Sequence, residues 1–188
     1  WFITFWATVK IGAVLVTVNT NYKSEELAFV LKNADMHTLC LTEGIPGSDY
    51  IDMIYELLPE LRSTQRGKLK SSRFPEMRNV VYIGQEKYRG MYNTAELLLA
   101  GSSRPKDQLM ALRQQTGCHD VVNMQYTSGT TGFPKGVMLS HHNITNNGYL
   151  TGVHMKFTQE DKCCVCVPLF HCFGIVLATM CCLTHGST

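Results

Sequence analysis

Hydrophobic residues follow two patterns in the first hundred positions of the chain. Short continuous apolar runs predict buried strands at 14–18, 38–42 and 79–83. An apolar stretch at 2–11 and apolar residues spaced three or four positions apart predict helices at 2–11, 25–33, 50–61 and 94–100, with Ser24 and Thr94 as N-caps. Strands that alternate with helices predict an α/β fold of mostly parallel sheets with flanking helices.

A polar stretch separates this half from the rest of the chain. Residues 101–120 mix charges, contain Pro105 and show one possible helical patch at 109–113. This composition predicts a first α/β part at 1–100, a connecting segment at 101–120 and a second part at 121–188.

The second part has its own alternation of strand and helix. Apolar runs predict strands at 121–126 and 137–139, on either side of a loop rich in Gly and Thr. Ser140 follows as the predicted N-cap of a helix that runs to about Met155. Leu139 before this cap and Ile144 after it have the spacing of a hydrophobic staple.

The run 163–183 contains no Asp, Glu, Lys or Arg and is long enough to suggest a membrane span. Pro168, His171 and Gly174 interrupt its middle. A buried strand, a loop and a buried helix give the same composition. We favour that interpretation and expect no transmembrane segment.

Composition indicates a globular protein. The 188 residues are 45% hydrophobic and 17% charged, with a net charge of +2. Positive charge is concentrated at 62–78, where Glu76 is the single acidic residue. Nucleic-acid binding would need aromatic residues among the basic ones, and Phe74 stands alone there. We therefore expect a solvated surface loop and no nucleic-acid partner.

Two adjacent pairs among the eight cysteines, at 163/164 and 181/182, lie inside apolar runs. Small secreted domains space their disulfide cysteines differently, so reduced thiols and a cytoplasmic location are expected. A zinc site is conceivable from Cys163, Cys164, Cys166, His171 and Cys172. The paired C-x-x-C spacing of such sites is absent, and buried small hydrophobes are the simpler interpretation.

The loop between the strands predicted at 121–126 and 137–139 has the composition of a phosphate-binding segment. Its glycines permit backbone conformations that turn N–H groups inward. Its hydroxyls, which can donate to an anion or ligate a hard cation, belong to Thr127, Ser128, Thr130 and Thr131. Lys135 supplies positive charge, and Pro134 restricts the backbone before it.

The spacing does not fit a Walker-type P-loop. Counted from Gly129, Pro134 stands where that motif has its second glycine, and Gly136 stands where it has Ser or Thr. A predicted strand also follows Lys135, where the Walker motif opens a helix. The loop is therefore predicted to join two strands of a hairpin. An ordinary turn rich in Gly and Thr is the alternative, which the lysine and the many hydroxyls disfavour.

Residues 126–137 resemble the signature loop of the AMP-forming adenylating superfamily, which includes acyl-CoA synthetases, luciferases and the adenylation domains of peptide synthetases. Further similar stretches are 10–35, 140–143 and 168–174. The last of these reads Pro-Leu-Phe-His-Cys-Phe-Gly and is most similar to fatty acyl-CoA synthetases.

The resemblance implies the large N-terminal domain of an acid–thiol ligase. Such an enzyme uses ATP and Mg²⁺ to convert a fatty acid to an acyl-adenylate and transfers the acyl group to coenzyme A. By this resemblance the ATP phosphates would be held by Thr127, Ser128, Gly129, Thr130, Thr131, Gly132, Pro134, Lys135 and Gly136. Thr130 would bind the metal, and Lys135 and His171 would be catalytic.

The resemblance also implies an acyl tunnel lined by Phe170, His171, Cys172, Phe173 and Gly174. Within it His171 would act as a gate or an orienting group beside the acyl carbonyl. The alternative is a core histidine bonded to a backbone carbonyl, with the two phenylalanines as ordinary core residues.

The family's later motifs do not occur, and no Tyr-Gly-x-Thr-Glu segment is found. We therefore expect a fragment of the large N-terminal domain that is inactive without a C-terminal domain. Two other functions stay open. One is a non-catalytic nucleotide- or phosphate-binding fragment, and the other is an aryl or amino-acid adenylating relative.

Overall fold

A computed structural model of the chain describes residues 1–127 and 134–188. Within these ranges it contains helices and partly parallel sheets, which confirms the predicted α/β class. The α-helices are α1 (Phe2–Lys10), α2 (Ser24–Asn33), α3 (Tyr50–Leu57), α4 (Thr94–Ser102), α5 (Lys106–Gln115), α6 (His141–Met155) and α7 (Cys181–His185). The strands are β1 (Leu15–Thr17), β2 (Thr38–Leu41), β3 (Gly44–Ile45), β4 (Ser48–Asp49), β5 (Asn79–Tyr82), β6 (Tyr92–Asn93), β7 (Val121–Thr127) and β8 (Lys135–Ser140). A 3₁₀-helix (Pro59–Arg62) follows α3, and a π-helix (Phe173–Met180) precedes α7.

These elements form two compact units. Unit 1 comprises Trp1–Asn19 and Pro105–Thr188, and unit 2 comprises Thr20–Arg104. The first strand belongs to unit 1 because β1 pairs with β7. Unit 1 therefore combines the N-terminal residues with the second half of the chain. The division of the chain into domains at 101–120 stays a prediction.

The sheet of unit 1 has the order β1-β7-β8, with β7 in the centre. β1 runs parallel to β7, with Leu15 opposite Asn123 and Thr17 opposite Gln125. β8 runs antiparallel to β7 and begins at the loop, with Lys135 opposite Thr127. Both neighbours therefore pair with β7 at 123–125, and β8 alone continues the pairing to the end of the strand at Thr127.

A buried cluster joins the helices of unit 1 to this sheet. It is formed by Phe5 of α1, Val122 of β7, Ile144 of α6, and Ile175 and Val176 of the π-helix. Partly buried residues pack against it: Trp6, Val9, Leu15, Leu139, Cys172 and Leu177. Leu139 and Ile144 meet in one cluster, as the predicted staple requires. Removal of this apolar surface from water favours the assembled unit.

Unit 2 is built on a parallel sheet of order β2-β5-β6. Leu39 of β2 lies opposite Val80 of the central strand, and Tyr82 lies opposite Asn93 of β6. Val80, Val81 and Tyr82 are all buried. This continuous burial explains why the strand reads as an unbroken apolar run.

The helix predicted at 50–61 is divided in the structure. α3 ends at Leu57, and the 3₁₀-helix starts at Pro59. Leu58 between them has φ −128° and ψ 66°. The proline ring disfavours the α conformation in the residue that precedes it, so the helix is interrupted there.

Two predicted N-caps are wrong by one residue. α2 begins at Ser24, and the Ser24 hydroxyl donates to Glu56 Oε2 at 3.0 Å. The N-cap of α4 is Asn93, whose side-chain oxygen accepts a hydrogen bond from the Glu96 N–H at 3.0 Å. The Thr94 hydroxyl instead accepts from a backbone N–H in the loop before β6. Tertiary partners therefore compete with capping for both hydroxyls.

The segment predicted as a connection at 101–120 is largely helical. α4 continues to Ser102, and α5 covers ten residues, so the patch at 109–113 belongs to a longer helix. No α5 side chain is buried. Most residues of α5 are strong helix formers, namely Lys, Gln, Leu, Met, Ala and Arg. A helix that forms through intrinsic propensity has no buried face, so the spacing of apolar residues does not reveal it.

The strand expected within 163–183 does not form. Residues 163–167 have no regular secondary structure, and the helical part follows at Phe173. A strand needs a neighbouring backbone along its length. Here the Cys163 N–H donates to the Thr188 carbonyl at 2.7 Å at the start of the segment. In the two described ranges, no helix combines the length and apolarity that a membrane crossing requires.

The cysteines are less buried than expected. Cys181 is buried, whereas four others are exposed: Cys40, Cys118, Cys164 and Cys166. The interpretation of the cysteines at 163–172 as buried small hydrophobes is therefore wrong for Cys164 and Cys166. Apolar neighbours along the sequence do not decide which side of the backbone faces the core.

Phe5→Ala is expected to lower the free energy of unfolding by about 3–5 kcal/mol. Phe5 is fully buried and stacks on Trp1 with ring centroids 5.6 Å apart. Ile3→Ala in the same helix is the control, because Ile3 is 84% exposed. Its truncation should change stability by less than about 0.5 kcal/mol. Urea unfolding followed by circular dichroism measures both, and equal losses would contradict the assigned core.

Candidate functional site

The predicted phosphate-binding loop lies at the tip of the β7–β8 hairpin. Thr127 ends β7, Lys135 begins β8, and the two residues pair in register. The antiparallel pairing confirms that the loop joins two strands, as its spacing predicted. Five predicted site residues lie outside the described ranges: Ser128, Gly129, Thr130, Thr131 and Gly132.

Lys135 presents an unneutralised positive charge at this tip. Lys135, Thr127 and Gly136 are exposed, and Pro134 is half-buried. Within residues 1–127 and 134–188, no carboxylate forms an ion pair with Lys135. An ammonium group and a hydroxyl that face each other across the hairpin are suitable donors for a polyphosphate.

Gly136 lies where the side chains of β7 approach β8 closely. A Cβ atom at this position would lie 3.0 Å from Met124 Sδ and 3.3 Å from Tyr126 Cζ. Both distances are shorter than ordinary van der Waals contact. Glycine therefore lets the Met124 and Tyr126 side chains lie against β8 directly below the loop.

Three buried polar side chains support β7 below the loop. Thr17, Asn123 and Gln125 are 5%, 1% and 7% exposed. Asn123 Nδ2 donates to the Leu15 carbonyl at 2.8 Å, and Gln125 Nε2 donates to Asn123 Oδ1 at 2.9 Å. The Asn123 bond joins β7 to β1, and the Gln125 bond holds the Asn123 amide from within β7. Sequence reasoning missed them, although polar residues at alternate positions of an apolar strand were a visible signal.

The helix after β8 begins at the predicted cap. Ser140 Oγ accepts a hydrogen bond from the Asn143 N–H at 3.1 Å, and Asn143 Oδ1 accepts from the Ser140 N–H at 3.0 Å. The His142 N–H donates to the Cys118 carbonyl at 2.8 Å. The Ser-His-His-Asn stretch is thus a reciprocal cap that starts α6 directly after the strand.

The second motif forms a turn before the π-helix. The His171 N–H donates to the Pro168 carbonyl at 3.2 Å, and the Gly174 N–H donates to the His171 carbonyl at 3.0 Å. The Phe173 N–H donates to His171 Nδ1 at 3.2 Å, so a neutral imidazole carries its proton on Nε2. The ring is exposed. The alternative of a core histidine is therefore wrong.

Gly174 allows a close backbone contact inside this turn. It is buried, and a Cβ atom there would collide with the Pro168 carbonyl oxygen and lie 3.0 Å from Leu169 Cα. The Thr179 hydroxyl also donates to the Gly174 carbonyl at 2.9 Å within the π-helix. π-helical segments are rare and are often found at functional sites.

The residues predicted to line an acyl tunnel differ in burial. Phe170 and Cys172 are half-buried, whereas His171 and Phe173 are exposed, Phe173 by 54%. Cys172 packs against the buried cluster, and its burial raises the pKa of the thiol. The structure places these residues in one turn, and their role in a tunnel stays a prediction.

The hairpin and the second motif rest on the same buried cluster. Val122 and Leu139 come from the strands that flank the loop, and Cys172 and Ile175 come from the second motif and the helix after it. Sequence reasoning found the two motifs separately. It had no signal for this shared support, because the contacts join residues far apart in the chain.

The chain belongs to the AMP-binding enzyme family, whose profile matches residues 1–188. This confirms the resemblance drawn from the sequence.

Relatives named as acyl-CoA synthetases and ligases align with the whole chain. YngI of Bacillus subtilis (strain 168) is 42% identical to this chain over 187 residues. Its name describes it provisionally as an acyl-CoA synthetase. The mitochondrial medium-chain acyl-CoA ligase ACSF2 is 37% identical in Danio rerio and in Homo sapiens. The alignments cover 100% of this chain but 34%, 31% and 31% of those proteins. The chain therefore spans about a third of the length of these relatives.

Solved structures with the same fold include acyl- and aryl-CoA ligases. The anthranilate CoA ligase AuaEII in complex with anthranoyl-AMP matches with a TM-score of 0.73 and 21% identity, over 100% of this chain and 32% of that one. The long-chain-fatty-acid-CoA ligase FadD1 from Archaeoglobus fulgidus matches with a TM-score of 0.62 and 26% identity, over 99% of this chain and 31% of that one. These likenesses confirm the predicted fold.

Ser140→Ala is expected to lower the free energy of unfolding by about 1 kcal/mol, because the Asn143 N–H loses its acceptor. Ser140→Asp is the matched control, since its carboxylate supplies an acceptor and a negative charge at the start of α6. Urea unfolding of the three proteins checks this. Equal losses in both variants would show that the cap does not contribute through its acceptor.

Proposed function

We propose that the complete protein activates a carboxylic acid with ATP, releases pyrophosphate and transfers the acyl group from the acyl-adenylate to coenzyme A. The observation that carries this proposal is the pairing of Thr127 with Lys135, which has no ion pair to any residue of 1–127 or 134–188, in a chain of the AMP-binding enzyme family. The activity is that of an acid–thiol ligase.

Lys135 and Thr127 bind the β- and γ-phosphates, together with the loop residues 128–132. Negative charge accumulates on the pyrophosphate as its bond to the α-phosphate breaks, so donors already in place stabilise the transition state. Pro134 restricts the backbone just before Lys135 and so limits the direction in which Lys135 leaves the loop. Bound Mg²⁺ would neutralise further charge on the phosphate oxygens, with Thr130 as its proposed ligand.

The proposed acyl substrate is a fatty acid. Phe170, Cys172 and Phe173 supply apolar surface around His171, which suits an alkyl chain. The name of the ACSF2 relatives, medium-chain acyl-CoA ligase, supports this choice. An aryl substrate is the alternative within the same class, and AuaEII, an anthranilate CoA ligase, shares the fold at 21% identity.

His171 is proposed to orient the acyl carboxylate. Its Nδ1 atom is occupied by the hydrogen bond from the Phe173 N–H. The proton on Nε2 is therefore directed away from the backbone and can be donated to a substrate oxygen. Residues of a C-terminal domain are predicted to complete the site, and this stretch by itself is predicted to be inactive. The cytoplasmic location also stays a prediction, because the ACSF2 relatives are named as mitochondrial.

Exchange of labelled pyrophosphate into ATP by the complete protein tests the proposed reaction. Exchange should depend on added carboxylic acid and should be faster with fatty acids than with aryl acids or amino acids. ATP binding without exchange for any acid would contradict the proposal and would favour a non-catalytic nucleotide-binding protein. Exchange limited to aryl acids would overturn the choice of substrate alone.

Lys135→Ala is expected to lower the exchange rate by about 10²–10³-fold, because one donor to the leaving phosphates is lost. Lys32→Ala is the control for loss of a lysine, since Lys32 is an exposed residue of α2 in unit 2. Exchange by the control should match the wild type. An unchanged rate in Lys135→Ala would remove this lysine from the proposed mechanism.

Gly174→Ala is expected to lower kcat/KM for the fatty acid by about 10²-fold, because the added methyl group displaces the backbone of the turn that carries His171. Gly101→Ala is the matched control, since a Cβ atom there would meet nothing within 4 Å. Acyl-CoA formation measures the effect, with the KM for ATP as an internal reference. Equal kcat/KM in both variants would show that the turn does not position the acyl substrate.

A further inference from the structure

The basic segment at 62–78 lines an open cavity of about 640 Å³ within unit 2. Cavities of this size ordinarily hold a small molecule. The wall combines buried residues with exposed basic ones, among them Leu69, Ser71, Met77, Lys68, Lys70 and Arg78. The segment is therefore more than a solvated loop, because its cations stand around a partly apolar cavity.

Four of the six basic side chains in this segment have a partner elsewhere in unit 2. Two make cation–π contacts and two make ion pairs: Arg62 with Tyr55, Arg73 with Phe74, Arg66 with Glu96, and Arg78 with Glu76. In the ranges 1–127 and 134–188, neither Lys68 nor Lys70 forms an ion pair. These two lysines therefore bring positive charge to the cavity wall that no carboxylate of the described chain offsets.

Ser71 adds a polar group without a partner to the same wall. The residue is 6% exposed, and its buried Oγ atom forms no hydrogen bond with any other described residue. Buried hydroxyls are normally hydrogen-bonded, because an unpaired one destabilises the fold. Rotation about χ1 lets this hydroxyl donate to a ligand oxygen in the cavity.

The cavity wall is held in place by the sheet of unit 2. The Arg78 N–H donates to the His37 carbonyl at 2.8 Å, directly before β5. At the other end of the wall, Gly67 has φ +74°, and a Cβ atom there would collide with the Tyr92 hydroxyl of β6. A wall that is already ordered loses little conformational entropy when a ligand binds.

We propose that this cavity binds a small organic phosphate. The phosphate group is held by Lys68, Lys70 and Ser71. The organic group packs against the buried side chains of Leu69 and Met77. A phosphate monoester carries close to two negative charges at neutral pH, so it matches the positive charge of the wall better than a monoanion does. The site lies within unit 2, and this inference does not depend on the proposed ligase activity.

Isothermal titration calorimetry of the complete protein with phenyl phosphate tests the site. Inorganic phosphate lacks the apolar group, and phenyl sulfate has the same shape but a single negative charge. Each should bind about 5–10-fold more weakly than phenyl phosphate. Equal affinity for phenyl phosphate and phenyl sulfate would overturn the assignment to phosphate. Equal affinity for phenyl phosphate and inorganic phosphate would overturn the role of the organic group.

Matched variants test the lysines of the wall. Lys68→Ala and Lys70→Ala should each weaken the binding of phenyl phosphate by about 5–10-fold, because one positive charge beside the ligand is lost. Lys87→Ala is the control, since Lys87 is an exposed lysine of unit 2 that does not line the cavity. Equal affinities in the three variants would overturn the proposal.

Ser71→Ala separates binding from stability. It should weaken the binding of phenyl phosphate by about 5-fold, because a hydrogen bond to the phosphate is lost. The urea midpoint of the unliganded protein should not fall, because the hydroxyl has no partner to lose. A lower midpoint with unchanged affinity would show that Ser71 is a structural residue and would overturn its place in the site.

Lys135→Ala distinguishes this cavity from the hairpin loop, which also carries a lysine suited to phosphate. Because Lys135 belongs to unit 1, its removal should leave the affinity for phenyl phosphate unchanged. Loss of affinity in Lys135→Ala, with wild-type affinity in Lys68→Ala and Lys70→Ala, would place the probe at the hairpin and overturn the proposal.

Discussion

Val122 lies in the central strand of unit 1, and its burial against Phe5, Ile144 and Ile175 is the packing on which the candidate site depends. The cluster takes residues from α1, β7, α6 and the π-helix, so it holds elements from both ends of the chain against one strand. β7 also receives hydrogen bonds from β1 and β8. A central strand held on both edges and buried at its core is a rigid support for the loop that follows it.

The position of Lys135 follows from this support. A Walker-type loop places phosphate at the start of a helix, where the helix dipole contributes positive potential. Here the loop returns into an antiparallel strand, so that contribution is absent and the charge must come from a side chain. The register places Lys135 opposite Thr127, and the buried Asn123 amide below them ties β7 to β1. A mobile lysine would bind phosphate less tightly, because more conformational entropy would be lost on binding.

The second motif is held by contacts of a different kind. Gly174 admits the Pro168 carbonyl at a distance that no other residue would tolerate, and this approach sets the turn that exposes His171. The following π-helix turns Ile175 and Val176 into the cluster that also holds β7.

The sequence by itself determined the alternation of strand and helix, the hairpin position of the loop and the cap at Ser140, because each depends on neighbouring residues. It did not determine where α3 stops within 50–61, although Pro59 was visible, or that Ser24 and Thr94 would bond elsewhere. Only the tertiary structure decided that β1 pairs with β7 and that the two motifs share one core. These outcomes depend on contacts between residues distant along the chain, and periodicity, which records local backbone geometry, contains no information about them.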